Sequence, residues 1–172
     1  MPLVTTARPH PAPAAAWRDR SGFCAPDLLD QPSGTLTSHQ VALLGELAGR
    51  IQLGHDLLTA FADRYASFPS ALAAAHTREL ALLRTLLARY RIADPTARID
   101  PGKQTLSTRL RAEGFRSRAD ALCVTQRLAG EMIALLDREL PGLRAPDVRH
   151  ACLHILLTAH RQARTALAWA GR

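Results

Sequence analysis

Residues 37–65, TSHQVALLGELAGRIQLGHDLLTAFADRY, decide the fold because they have the pattern of one long amphipathic helix. Thr37 and Gln40 have the spacing of a capping box, in which each side chain accepts a hydrogen bond from the other residue's backbone N–H. Large apolar residues then recur every three or four positions, the period of a helix with one buried face. They are Leu43, Leu44, Leu47, Ile51, Leu58, Phe61 and Tyr65. We therefore predict a helix over residues 38–66.

The next segment predicts a second helix that turns back on the first. The sequence SFPS at 67–70 marks the turn, because Ser67 is a capping residue type and Pro69 suits a first helical turn. Leucines then recur at helical spacing to about residue 91. The loop ADPTARIDPGK at 93–103 follows, with two Asp-Pro steps that favour turns.

Beyond this loop the pattern predicts a short helix and two further long ones. The short helix covers about 104–113 and ends at Gly114, which we interpret as the glycine that follows a helix end. Ser117 and Asp120 form a second capping box, which predicts a helix over 118–139. Pro146 then begins a last helix, to about residue 170, with Leu153, Leu156, Leu157 and Leu167 predicted to face inward.

These elements predict an all-α, antiparallel four-helix bundle with a short helix in the link between the second and third long helices. The bundle is expected to occupy residues 36–172. Residues 1–35 hold much of the proline and predict an irregular arm rich in Pro and Arg. The length of 172 residues suits one ordinary domain.

Composition excludes several classes of function. The formal charge of +7 comes almost wholly from scattered arginines, with Lys103 the single lysine, so the clustered basic patch of a nucleic-acid-binding protein is missing. Cys24, Cys123 and Cys152 contain no CxxC pair, which argues against a zinc knuckle or a disulfide framework. Since no apolar run is long enough for a membrane span or a signal peptide, we expect a cytoplasmic protein without a membrane partner.

Three polar side chains are predicted to share the interior of the bundle. On a helical wheel of the second helix, His76 lies within the apolar arc and Glu79 at its inward edge. On the last helix His160 lies between the leucines. His55 flanks the apolar face of the first helix, and Thr125 faces inward on the third.

His76, Glu79 and His160 allow two interpretations. The structural one is a buried His–Glu pair that simply satisfies its own hydrogen bonds. The functional one is a site, because two histidines and one carboxylate can bind a single divalent metal such as iron, zinc or manganese. Without metal, the same groups can act as general acid and base on a small molecule, since histidine titrates near neutral pH.

Two longer motifs resemble a ferritin-like domain family of unknown function. They are LLARYRIADP at 86–95 and LRAEGFRSRADALCV at 110–124, with a looser match at LGHDLL, 53–58. The resemblance runs from the first helix to the end of the chain, covers roughly 125 residues and implies the four-helix fold. It also implies the positions at which a di-iron centre draws its carboxylates and histidines.

At those positions the sequence departs from the family. The resemblance places Ile51, Ala129 and Ala163 where ligands would lie, and His76 with Glu79 in the reverse of the usual Glu-x-x-His order. The residues that remain are too few for a di-iron centre, so we expect none. Two functions stay open: a remodelled core site that binds or acts on a small molecule, or a non-catalytic accessory and interaction protein, with a homodimer as one form of partner. Whether the chain is an enzyme also stays open.

Overall fold

The computed structural model describes residues 28–98 and 100–171, together with the backbone of residues 5–6. The chain there forms α1 (Ser38–Arg64), α2 (Ala71–Arg89), α3 (Pro101–Gly114), α4 (Arg118–Glu139) and α5 (Pro146–Ala170). Single 3-10 turns lie at Pro95–Ala97 and Leu140–Gly142, and β1 (Thr5–Thr6) pairs antiparallel with β2 (Thr35–Leu36). The all-α prediction is confirmed. Most of the predicted arm, residues 1–4 and 7–27, lies outside the described residues.

The capping signals explain where two of the helices begin. At the start of α1 the Thr37 side chain accepts from the Gln40 N–H, and the Gln40 side chain accepts from the Thr37 N–H, as the capping box predicts. At the start of α4 the Ser117 hydroxyl accepts the Asp120 N–H at 3.0 Å. Both capping residues have extended backbone, which ends the preceding loop where the helix begins.

The start of α3 and the start of α2 differ from the prediction. Helix α3 begins at Pro101, because the Asp100 carboxylate accepts the N–H groups of Gly102 and Lys103 and Pro101 needs no partner for its nitrogen. Helix α2 begins at Ala71, not near Ser67, so the connection from α1 is longer than predicted.

Contacts at the helix ends show the relative directions of the four long helices. Helices α1 and α2 pack on each other, as do α4 and α5, so each pair is a helical hairpin. Across the hairpins, the start of α1 meets the end of α4 and the end of α2 meets the start of α5, so neighbouring helices are antiparallel. The contacts are His39–Glu139 at 2.7 Å and Tyr90–Asp147 at 2.7 Å.

The apolar core is divided into two clusters along the helices. One contains Leu43 to Ile51 of α1 together with Leu80 to Leu87 of α2 and Tyr90, the residue that follows α2. The other contains Leu57 to Phe61 of α1 and Ala121 to Val124 of α4. The layer between these clusters contains the buried polar residues His76, Glu79, Thr125 and Gln162, whereas Gln40 and Asp147 are buried at the starts of α1 and α5.

Helix α3 packs against α1 and α4. Its last residue, Gly114, lies so close to the Phe61 ring that an added Cβ would be 2.3 Å from the ring. The prediction that Gly114 follows the helix end is wrong, because Phe115 is the C-cap and Gly114 serves close packing instead. The glycine thereby lets α3 lie directly on α1, beside the polar layer.

The inward face of α5 is not the predicted one. Leu153, Leu157 and Leu167 are exposed by 42%, 59% and 60%, and Leu156 is half-buried. The buried face is made mainly of small residues, which allow α4 and α5 to approach closely. Its members are Val148, Ala151, Cys152, Ile155, Ala159, Gln162 and Ala166.

Among the residues that the structure describes, no helix combines the length and the hydropathy needed to cross a bilayer.

Candidate functional site

A cavity of about 610 Å³ lies between the two hairpins, in the layer that separates the apolar clusters. Every helix from α1 to α5 contributes to its lining. The walls are largely apolar, with Leu53, Leu58, Leu128 and Met132 among them. A volume of this size is typical of sites for small molecules.

A histidine–carboxylate pair lies on the α2 side of the cavity. His76 Nδ1 and Glu79 Oε2 are 2.9 Å apart, and the two residues are exposed by only 8% and 2%. Their spacing of three positions brings both side chains to the same face of the helix. In the neutral imidazole tautomer with the proton on Nδ1, the Nδ1–H group donates a hydrogen bond to the Glu79 carboxylate and Nε2 is a hydrogen-bond acceptor.

Gly54 of α1 makes room for this pair. A Cβ on Gly54 would lie 2.8 Å from His76 Nε2, well inside van der Waals contact. The absence of a side chain at Gly54 therefore lets the imidazole stand between α1 and α2 with its Nε2 toward α1.

Two more buried polar side chains line the cavity from the other hairpin. The Thr125 hydroxyl donates to the Ala121 carbonyl at 2.8 Å, so its hydrogen-bonding proton is used within α4. Gln162 of α5 is exposed by 5%, and its Nε2 has no hydrogen-bond partner among the described residues. An unpaired buried amide costs about 1–3 kcal/mol. Gln162 also lines a second, smaller depression between α2 and α5, together with Arg78 and Thr158.

Charged side chains surround the open side, which we call the cavity mouth: Glu46, Arg50, Lys103, Arg109, Arg127 and Glu131. Arg50 contacts Glu46 at 2.9 Å and Glu131 at 3.4 Å. Arg127 bonds Glu113, a residue outside the lining, at 2.8 Å, and this bond lowers the pKa of the Glu113 carboxyl below its usual value. The mouth therefore carries more positive than negative charge.

The structure brings together two of the three predicted core residues. His76 and Glu79 are buried and bonded, and Thr125 faces inward, as predicted. The prediction that His160 joins them is wrong: His160 is exposed, in a surface depression with Leu157, Arg161 and Arg164. His160 was predicted to face inward because it lies between leucines of α5. Since Leu153, Leu157 and Leu167 face outward, His160 on the same side of the helix faces outward too. His55 is half-buried beside the Asp56 carboxylate, 3.1 Å away, and is not part of the lining.

Within residues 28–98 and 100–171 no cluster of three or more His, Cys, Asp or Glu residues has the geometry to hold a metal ion. His76 and Glu79 alone provide two ligands, whereas catalytic zinc sites use three protein ligands. Of the positions that the resemblance marked as ligands, Ala129 lines the cavity, whereas Ile51 and Ala163 do not.

Gln162 is the residue that sequence reasoning missed. Glutamine has no titratable side chain that would mark it as a candidate. A helical wheel of α5 centred on the leucines also places Gln162 outside the predicted apolar face. The alternation of three and four positions through Val148, Ala151, Ile155 and Ala159 to Gln162 is the signal that identifies it.

A second buried polar cluster joins the end of α2 to the start of α5 and to the segment before α1. The Tyr90 hydroxyl donates to Asp147 Oδ1 at 2.7 Å and accepts the Gly34 N–H at 3.0 Å. Arg89 lies 3.4 Å from the other Asp147 oxygen and also donates to the Leu28 carbonyl. Burial and the Asp147 bond raise the pKa of Tyr90 well above its usual range. Asp147 Oδ2 has an ion pair with Arg89 but no hydrogen bond among the described residues. The bonds of Tyr90 join three separate segments of the chain, which indicates a structural role.

Comparison with known proteins gives a fold relationship alone. No family model matches the sequence, and no curated protein matches it. The structure is similar to the crystal structure of hypothetical protein MJ0754 from Methanococcus jannaschii DSM 2661, with a TM-score of 0.76 and 18% sequence identity over 81% of this chain and 84% of that one. At this identity the likeness concerns the fold.

Proposed function

We propose that the chain is a ferritin-like four-helix bundle whose interior cavity binds a small organic molecule without a metal centre. The observation that carries the proposal is a largely apolar cavity of about 610 Å³ whose lining includes the buried His76–Glu79 pair. Ligand sites typically combine apolar walls with a few polar groups that orient the ligand.

The His76–Glu79 pair gives the cavity a group that can accept a proton. In the neutral tautomer that donates from Nδ1 to Glu79, Nε2 carries the lone pair that can accept a proton, and His76 is part of the cavity lining. This arrangement supports acid–base chemistry as an extension of binding. A single metal ion is the weaker form of the proposal, since His76 and Glu79 would have to hold it without the third predicted ligand, His160.

The test is to narrow the cavity and measure the binding of 1-octanol by calorimetry. Ala129 is 3% exposed and lines the cavity, whereas Ala134, on the same helix, is exposed. We expect 1-octanol to bind the original protein and the Ala134→Leu variant equally, and to bind Ala129→Leu more weakly. Equal binding by all three proteins would place the octanol elsewhere and contradict the proposal.

The interaction-protein alternative has its own observation, the exposed leucine face of α5 formed by Leu153, Leu157 and Leu167. In a dimer with two-fold symmetry, the same surface of each copy packs against the other. This alternative therefore predicts a homodimer in which the exposed leucine faces of α5 pack against each other. Sedimentation over a range of concentrations tests it. A dimer that Leu157→Glu dissociates supports the alternative, and a monomer at all concentrations contradicts it.

A further inference from the structure

Two cations at the cavity mouth have no counter-ion. Lys103 and Arg109 of α3 line the cavity, yet neither side chain forms a hydrogen bond or an ion pair with another residue in the described part of the chain. Arg50 and Arg127, the other two cations of the mouth, are both paired with glutamates. The positive charge that remains free at the mouth therefore belongs to α3.

The Lys103 ammonium lies over the surface of α1. A Cβ on Gly49 would be 2.6 Å from Nζ and 3.2 Å from Cε, so the glycine leaves the space that the ammonium occupies. Lys103 is also the only lysine in a chain whose other basic side chains are arginine. A compact ammonium with three donors fits this space, and a planar guanidinium is wider.

The interior determines which end of a ligand points inward. The Glu79 carboxylate is buried on the α2 side and already bonded to His76. A second negative charge beside it would be repelled in a medium of low polarity. An anionic group is therefore favoured at the mouth and disfavoured inside, where the walls are largely apolar.

From this polarity we infer that the ligand is a small amphiphilic anion, an inference that rests on the proposed function. Its carboxylate or phosphate is bound by Lys103 and Arg109 at the mouth, and its apolar body lies between the hairpins against Leu128 and Met132. The two cations are six residues apart on α3, about 9 Å along the helix axis and about 120° around it. Both side chains line the mouth, and their length lets them bend toward one anion.

Four probes with the same eight-carbon chain test the inference by calorimetry on the full chain at low salt. They are octanoate, octyl phosphate, 1-octanol and octylamine. We expect the better of the two anions to bind at least about tenfold more tightly than 1-octanol, because it gains charge-assisted hydrogen bonds, and octylamine to bind least. The comparison of octanoate with octyl phosphate identifies which anionic group the mouth prefers. Added salt should weaken the anions and leave 1-octanol unchanged.

Variants of α3 locate the effect. Lys103→Gln should weaken the preferred anion by about five- to tenfold and leave 1-octanol unchanged, as expected for one partly solvated charge. Arg111→Gln is the matched control, since Arg111 is exposed on the same helix and outside the lining. A similar loss in both variants would reveal a general charge effect and overturn the inference.

The outcomes separate this inference from the proposed function. If 1-octanol binds as tightly as both anions, the preference for anions is refuted while the cavity remains a binding site. If none of the four probes binds, both proposals fail. If the anions bind more tightly but neither Lys103→Gln nor Arg109→Gln weakens them, the assignment of the anion site to α3 is wrong.

Discussion

The close approach of Gly54 and His76 predicts how much a side chain at position 54 changes the free energy of unfolding. In Gly54→Ala the new Cβ would lie 2.8 Å from His76 Nε2, so the ring or the helix must move by at least about half an ångström to reach ordinary contact distance. Overpacking of this kind costs about 1–3 kcal/mol. The same substitution gains about 1 kcal/mol of helix propensity. We therefore expect the free energy of unfolding to fall by about 0–2 kcal/mol.

Gly130 provides a matched control for this substitution. It lies in the interior of α4, and an added Cβ there meets no other atom within 4 Å. Gly130→Ala should therefore raise the free energy of unfolding by about 0.5–1 kcal/mol. Urea denaturation followed by circular dichroism measures both variants, and their difference of about 1–3 kcal/mol isolates the steric conflict.

The His76→Ala background tests the cause directly. Once the imidazole is removed, Gly54→Ala should become stabilising by about as much as Gly130→Ala, because only the propensity gain remains. The reasoning is refuted if Gly54→Ala stabilises the original protein as much as Gly130→Ala does. It is also refuted if the penalty persists when His76 is alanine.

Two further predictions concern groups outside the cavity. Tyr90→Phe leaves Asp147 without its hydroxyl donor and should cost about 1–3 kcal/mol in urea denaturation; a change below about 0.5 kcal/mol would contradict the structural role of that bond. Burial raises the pKa of the Cys152 thiol from 9.0 to about 12, so its thiolate fraction is about a thousandfold below that of an ordinary thiol. In a Cys24→Ala protein, a thiol reagent should therefore label only the exposed Cys123 until the chain unfolds. The same raised pKa means that Cys152 contributes stability below about pH 9 that is lost as the pH rises toward 12, and Cys152→Ala should flatten this fall.

The sequence predicted the elements well wherever a local signal was strong. The capping residues Thr37 and Ser117 place the starts of α1 and α4 correctly, and the alternation of leucines gives the buried face of α1. Such signals depend on neighbouring residues alone. The start of α3 was missed because Asp100 and Pro101 were interpreted as part of a loop, although together they form a cap and a first helical residue.

Motifs of the ferritin-like resemblance have structural roles here. Tyr90 of LLARYRIADP bonds Asp147, and Asp94 of the same motif accepts from Thr96 and Arg84. Gly114 of the second motif permits close packing on Phe61. These roles explain the spacing of the motifs without reference to a metal centre, and membership of the family remains a prediction.

The candidate site was predicted only in part, because the orientation of α5 depends on tertiary packing. Because leucine is more hydrophobic than alanine, the helical wheel predicted that Leu157 faces inward. His160 lies on the same side of the helix and was therefore predicted to face inward as well. In the structure Ala151 and Ala159 are buried, because small residues let α4 and α5 approach. Gln162 became visible as a site residue once this face was known.

The most direct test of the central claim, that the cavity binds a small molecule, uses the methyl group of Met132. The chain contains two methionines, and Met132 is 6% exposed in the cavity wall, so methyl-labelled methionine gives one signal from the site, which Met132→Leu assigns. We predict that 1-octanol and octanoate each shift the Met132 signal saturably, and that both need higher concentrations to do so in Ala129→Leu, where the cavity is narrower. A Met132 signal that stays unchanged at saturating concentrations of both probes would contradict the account.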